Sequence, residues 1–370
     1  ASLSLPIGQI FERLYLRDIE LTAGAPAVAN VSIDGLGNTG WQITEETGRT
    51  LFWVGGEGEW FDPTHWSLNS GGAGGECIPT LIDNVIVDGN SSTAIDFSIF
   101  NNSDRYTNCY DISWTPGLTD INYFNVRRMR IAGSFTNEGN LNFGASPVYY
   151  LGTADHTITM GNARFFDFIF EQTGTYAFLD DFLGYGITHQ RGTVNFTDQT
   201  GDLELLTIVS SPNPKFMNLG DAHLRLSYNY DGFTGAFSAY GAANVTIDPG
   251  NSLVELTSTS GTIRADYGVA FNDVLFSNPA GNGLIIQEEF GTSSVLASSV
   301  VFNGNGRLDL ELITDTLIFA PEKSYTFKAD ADQTINKYWQ TIGNNCTPIA
   351  LQSSINGTQA RAQAPAAGKI

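Results

Sequence analysis

The chain is poor in charge, and poorest in basic charge. Only 15% of its 370 residues are charged, with 18 Lys and Arg against 39 Asp and Glu, for a formal net charge of −21. That surplus repels phosphate backbones and anionic lipid heads, so neither nucleic acid nor a membrane surface is an expected partner. No apolar run reaches the ~18 residues that suggest a membrane-spanning helix, so membrane insertion is not expected. The opening residues, ASLSLPIGQIF, have no basic segment and no cleavage-like site, so no signal peptide is visible. The chain reads as a mature product or as a piece of something longer.

Catalytic and metal signatures are also missing. There is no G-x-S-x-G elbow, P-loop or H-E-x-x-H, and Gly56-x-Gly58 lacks the rest of a dinucleotide fingerprint. The histidines His65, His156, His189 and His223 are scattered, and His65 reads as a structural residue inside a tryptophan cluster. The three cysteines contain no C-x-x-C. No catalytic residue, resident metal or cofactor is assigned. Acidic pairs at Asp180-Asp181, Glu288-Glu289 and Asp330-x-Asp332 leave Ca²⁺ open as a ligand, although none completes a known calcium loop.

What the chain does have is 40 Gly, 24 Phe and 14 Tyr, set among Val, Ile and Thr in short runs cut by Gly, Asn or Asp. That is an all-β composition. Two stretches, Ser146–Phe182 and Asn251–Phe290, align with each other. Thr157-Ile158 matches Thr262-Ile263, Phe168-Ile169-Phe170 matches Val274-Leu275-Phe276, and Asp180-Asp181-Phe182 matches Glu288-Glu289-Phe290. The offset of ~105 residues suits a block of about five coils of ~20 residues each. Alternation places Phe166, Phe168 and Phe170 on one face of a strand, and Asp167 and Ile169 on the other. Such units bury their apolar face only by stacking. The expected fold is therefore a parallel β-solenoid (β-helix) of short coils, with tandem β-sandwiches as the alternative.

The most distinctive segment is TLFWVGGEGEWFDPTHWS, Thr50–Ser67. Trp53, Trp60 and Trp66 bring a large apolar payload and suit a plug over the open end of a stacked core. A flat carbohydrate-binding platform is the functional alternative for the same three rings. Arg127, Arg128 and Arg130 are the only basic cluster; alternation puts Arg128 and Arg130 on one face, where a solvated surface or ion pairs with the acidic excess is the expectation. In a secreted protein Cys77 and Cys109 would pair, closing a loop for about 3 kcal/mol. Cys346 is then left over, as a buried thiol or for a partner outside the chain. The two ends, ASLSLPIGQI and ARAQAPAAGKI, resemble each other, as one period of a tandem array would.

The run WVGGEGEWFDPTHWSLNSGGAGGECIPTLIDNVIVDG resembles the module start of the giant repetitive surface adhesins of gliding Bacteroidota (SprB-like adhesins), which the type 9 secretion system exports. LYLRDIELTAG…GNTGWQI and CTPIALQSSINGTQA resemble the end of the preceding module in such arrays. The resemblance covers most of the chain and is most specific at the Trp–Gly segment; the family's C-terminal export domain is missing, as an internal piece would show. It implies a recurring Cys77–Cys109 pair, and Asp315-Thr316-Leu317 fits the short O-glycosylation pattern of that phylum. The expected organisation is the end of a preceding module over 1–49, a Trp/Gly-rich start and cap over 50–120, a solenoid body over 121–340 and a module-closing segment over 341–370. The expected function is a non-catalytic structural repeat of a secreted cell-surface filament in adhesion and gliding motility. Its partners would be neighbouring repeats, extracellular surfaces or polysaccharide, and the secretion and gliding machinery. A carbohydrate-binding surface module comes second, and a polysaccharide lyase-like β-helix third.

Overall fold

The structure, a computed structural model, describes residues 2–4, 9–23, 26–94, 96–115, 122–139, 141–143, 147–239, 244–265, 269–286, 294–343 and 346–364. It is almost all β, a parallel β-solenoid of about 14 turns. The solenoid expectation therefore holds, and the alternative of β-sandwiches does not. The only helical element among the described residues is a 3-10 turn, Pro63–His65. The chain divides into two compact units, Ala1–Leu183 and Gly184–Ile370, a boundary that falls within the stretch expected as one solenoid body.

In the first unit the coils carry three strands each. On one face Val85 lies beside Ile112, Ile112 beside Phe135, Phe135 beside Ile158 and Ile158 beside Phe178, each pair parallel. A second face stacks Gly58–Glu59, Ser98–Phe100, Asn122–Asn125 and Leu141–Phe143. A third stacks Thr107–Cys109, Met129–Ile131, Pro147–Tyr150 and Arg164–Phe170. The sequence supports this because short alternating runs such as Ile112-Ser113-Trp114 turn every second side chain inward, and both flanking coils repeat the pattern. Tyr150, Phe168, Phe170 and Tyr176 form one continuous aromatic core, with ring centroids 4.6–5.8 Å apart for Tyr150–Tyr176 and Phe170–Tyr176.

One strand breaks the expected alternation. Phe166 is 41% exposed, whereas Phe165 is buried and stacks on Phe168 at 3.8 Å. The inward phase shifts by one residue between Phe165 and Phe168, because regular pairing with Pro147–Tyr150 starts only at Asp167. The part of Arg164–Phe170 before that point follows a different phase from the part after it.

The described residues between 2 and 43 form a small stack of their own. Ser2–Ser4 pairs with Glu20–Ala23, Ile10–Glu12 with Ala27–Asn30, Ala27–Asn30 with Trp41–Ile43, and Tyr15–Leu16 with Ile33–Asp34, all parallel. Among the described residues these sheets take no strand from elsewhere. The stack is fastened to the coils of its own unit by Ile33, packed among Leu81, Ile82, Ala132 and Leu151. An Arg17–Glu171 ion pair at 2.9 Å adds polar fastening, and the Glu45 carboxylate bridges stack and coils by accepting from the Asp34 N–H at 3.0 Å and from Thr153 Oγ1 at 2.9 Å.

The second unit starts with similar three-strand coils and then narrows. One of its faces ends at Val245–Asp248, and later coils consist of one long and one short strand. The long strands Ser294–Phe302, Glu311–Phe319 and Asp332–Gln340 lie side by side, as do the short strands Asn282–Ile286, Asn305–Asp309 and Ser324–Phe327. Stacked rings fill the interior: Phe276 on Phe302 at 4.4 Å and Phe319 on Tyr325 at 3.8 Å.

Candidate functional site

The tryptophan segment is built around its glycines. Gly55 and Gly56 hold positive φ (84° and 75°), which L side chains rarely adopt, and a Cβ at Gly58 would run into the His65 ring. The chain can therefore fold back at once, and Trp66-Ser67 pairs antiparallel with Phe52-Trp53. This strand sits at the end of the sheet that begins with Thr50–Trp53, so it closes an edge that would otherwise be bare.

All three indoles are fully buried. Trp66 contacts Trp53 and Trp60 edge-on at 5.0 and 4.7 Å, and Trp60 continues to Phe124 at 5.9 Å. Trp53 Nε1 donates to the Gly56 carbonyl at 2.7 Å and Trp66 Nε1 to the Trp60 carbonyl at 2.8 Å. His65 lies flat on Trp53 at 4.7 Å, its Nδ1 2.8 Å from the Val54 carbonyl oxygen. The three rings are thus interior packing. The expected carbohydrate platform at Trp53, Trp60 and Trp66 is incorrect, because no ring face is open to a sugar.

Arg49 anchors the start of the same segment. Its guanidinium meets the Asp83 carboxylate at 3.0 Å, and Thr80 donates to that carboxylate from both its backbone N–H and its hydroxyl. Burial opposes the ionisation of Asp83, but the hydrogen bonds from Arg49 and Thr80 outweigh it and hold its pKa below the usual carboxylate range.

The Cys77–Cys109 disulfide expected from the sequence is not formed. Both are free thiols: Cys109 lies in the core with no accessible surface, whereas Cys77 is exposed, as is the Cys346 side chain. Burial pushes the Cys109 thiol well above its usual pKa, which leaves it protonated and unreactive.

The arginine cluster does converge. Arg130 lies over the Tyr106 ring at 3.5 Å and also faces Tyr15 at 5.6 Å, while Arg128 reaches Tyr106 from 5.9 Å. Arg127 turns away to Asp104 at 3.6 Å. Sequence reasoning missed Tyr106, because only coil stacking, which sets Asn108 beside Arg130, brings it under the arginines. Arg13, Tyr15, Asn108 and Arg130 line a recess of about 210 Å³. With Glu171 and Asp104 nearby engaging Arg17 and Arg127, the cluster reads as a cation–π and ion-pair patch.

The acidic pairs take structural roles where they are described. Asp180 accepts hydrogen bonds from the Met160 and Gly161 N–H groups at 2.7 and 2.5 Å, capping the turn one coil away. Asp332 faces Arg361 at 3.8 Å. Glu288-Glu289 lies outside the described residues, as does most of the end-to-end match at 5–8 and 365–370. Among the described residues no group of three His, Cys, Asp or Glu could hold a metal ion. Thr316, in the short glycosylation pattern, is half-buried within the Glu311–Phe319 strand, beside a register shift.

Of the other histidines, His156 and His189 are packed into the fold and His223 is partly exposed. His156 is wedged between Tyr110 and Tyr176, and burial lowers its pKa. His189 is fully buried with Nε2 3.0 Å from the Gly192 carbonyl oxygen. His223 Nε2 lies 2.8 Å from the Glu255 carboxylate. No family model, no curated protein and no solved structure matches this chain.

Proposed function

We propose that the chain is a non-catalytic structural repeat of a secreted cell-surface adhesin filament, working in surface attachment and gliding. The observation that carries this reading is the contrast between inner and outer rungs. Inner strands alternate buried and half-buried residues, as in Asn84–Val87 or Leu253–Leu256. Ser2–Ser4 in the first unit and Arg361–Gln363 in the second are exposed at every residue. Among the described residues each pairs with one neighbour only, Glu20–Ala23 and Asp332–Gln340 respectively. A row of unpaired N–H and C=O groups on a parallel ladder is a template for another strand. Adjacent repeats of one polypeptide are the partners that fit such rungs.

The composition supports the same reading. A charge of −21 on every repeat keeps neighbouring filaments apart, and few lysines leave the surface hydrated by carboxylates and amides. The segment Thr50–Ser67 would then mark the beginning of each module, with the stack of residues 2–43 closing the module before it.

Location is tested by shaving intact cells with protease and labelling them with an antibody raised against residues 50–90. The proposal expects surface label that protease removes. Label confined to the cell interior would overturn it.

A further inference from the structure

The second unit carries a recess of about 450 Å³ on the outer face of its short-strand sheet. We propose that this recess is a binding site for an extended neutral polysaccharide chain. This goes beyond the filament reading and does not depend on it.

The recess is lined by Ser260 and Thr262 and by the three coils that follow them. Alternation turns Asn282 and Leu284 outward on one strand, Asn305 and Arg307 on the next, and Ser324 and Thr326 on the third. Asn282 stands beside Asn305, Leu284 beside Arg307, and Arg307 beside Thr326. Tyr230 forms one wall. The volume falls within the ~300–1,000 Å³ typical of small-ligand sites.

The lining matches a sugar on three counts. Amides, hydroxyls and a guanidinium supply the planar donors and acceptors that hydroxyl pairs need. The Asn305 side-chain oxygen accepts from the Ser324 N–H at 2.9 Å, which orients the amide nitrogen away from the strand as a donor. Arg307, which lines the recess and also meets Asp309 at 2.6 Å, presents planar guanidinium donors to a diol. Tyr230 and Leu284 give the apolar faces on which sugar C–H groups pack.

Periodicity and rigidity point the same way. Coils repeat every ~4.8 Å, close to the length of one sugar residue in an extended glycan, so successive residues of a polymer meet Asn282, Asn305 and Ser324 in turn. The floor is fixed from beneath: Gly283 and Gly306 leave room for the Phe276, Phe302 and Tyr325 rings, and the Tyr325 hydroxyl donates to the Gly304 carbonyl at 3.0 Å. Side chains on a packed sheet are already in place before the ligand arrives, which reduces the ordering cost of binding. The choice of a neutral chain follows from the net charge of −21, whose field repels polyanions.

The test uses the purified 370-residue chain on an array of neutral glucans, mannans, galactomannans and xylans, printed beside alginate and polygalacturonate. The expected result is retention on at least one neutral glycan and none on the acidic ones. Calorimetry with that glycan should then show affinity falling tenfold or more in Arg307→Ala and in Asn282→Ala, with Arg127→Ala unchanged and all variants melting as the parent does. Both substitutions are at exposed positions, so each serves as a check on the other should one perturb folding. No neutral glycan bound, equal retention on alginate, or undiminished affinity in both variants overturns the site. Because a single chain suffices, failure here leaves the filament proposal standing, and absence of filaments would leave this site standing.

Discussion

At the residue scale the tightest constraints are buried groups with one way to be satisfied. Trp60 and Trp66 have no accessible surface and pack edge-on against each other. Replacing Trp66 by Ala should cost about 3–5 kcal/mol, measured by urea unfolding, because a ring-sized cavity and a lost indole hydrogen bond add together. His189 makes a pH-dependent contribution. Burial, the leading cause, lowers its pKa from 6.5 to about 4, against the opposing pull of the Gly192 carbonyl. The unfolded imidazole binds a proton near 6.5, while the folded one resists until about 4. The stability of the neutral form is therefore complete above the unfolded value and falls as pH drops between the two. The loss should approach about 3 kcal/mol. Unfolding curves measured from pH 7.5 to pH 4.5 should show this slope in the parent and a smaller one in His189→Gln.

Residue types made some of this readable from sequence. Three Trp with interleaved Gly could be read as packing side chains because large rings near obligate turns have few other uses, and the structure buries all of them. The thiols could not be read the same way, since spacing along a chain does not say which side of a strand a sulfur faces. Cys109 follows Thr107 on an inward position of its strand, so the core claims it. The groove asparagines do leave a signal in the sequence: Asn282-Gly283 and Asn305-Gly306 repeat an outward amide followed by an inward glycine at successive short-strand starts.

At the scale of elements, alternation predicted strands well and predicted phase poorly. Asn84–Val87 and Thr175–Phe178 follow the simple rule, whereas Arg164–Phe170 changes phase within itself. That change depends on where the neighbouring coil begins to pair, which is non-local information. The narrowing of the second unit to two strands per coil is hidden for the same reason.

The stack of residues 2–43 offers an element-level prediction. Ile33 is its main apolar tie to the rest of its unit. Ile33→Ala should cost about 2–5 kcal/mol of local stability. Hydrogen exchange should then speed up across Ala27–Asn30 and Ile33–Asp34 while Leu253–Leu256 keeps its protection. Equal acceleration in both places would mean that the stack is not a separable element. In the second unit, Gly283→Val should collide with Phe276 and Phe302 and lower stability by about 1–3 kcal/mol.

At the scale of the whole molecule, charge and rung pairing oppose each other. Each copy carries −21, and like charge holds copies apart at low salt. Screening shortens from ~10 Å at 0.1 M to ~3 Å at 1 M, so added salt should favour rung-to-rung association. Sedimentation velocity across that range should show growing oligomers, and oligomers that dissolve with salt would contradict end-to-end pairing through uncharged backbone groups.

The central claim is that such chains are consecutive modules of one filament. Cryo-electron microscopy of the native protein, taken from the surface of its source cells, tests it most directly. The account predicts continuous fibres in which this β-solenoid recurs, with the Trp53–Trp60–Trp66 cluster at each module start. Separate globular particles with no fibre would contradict it.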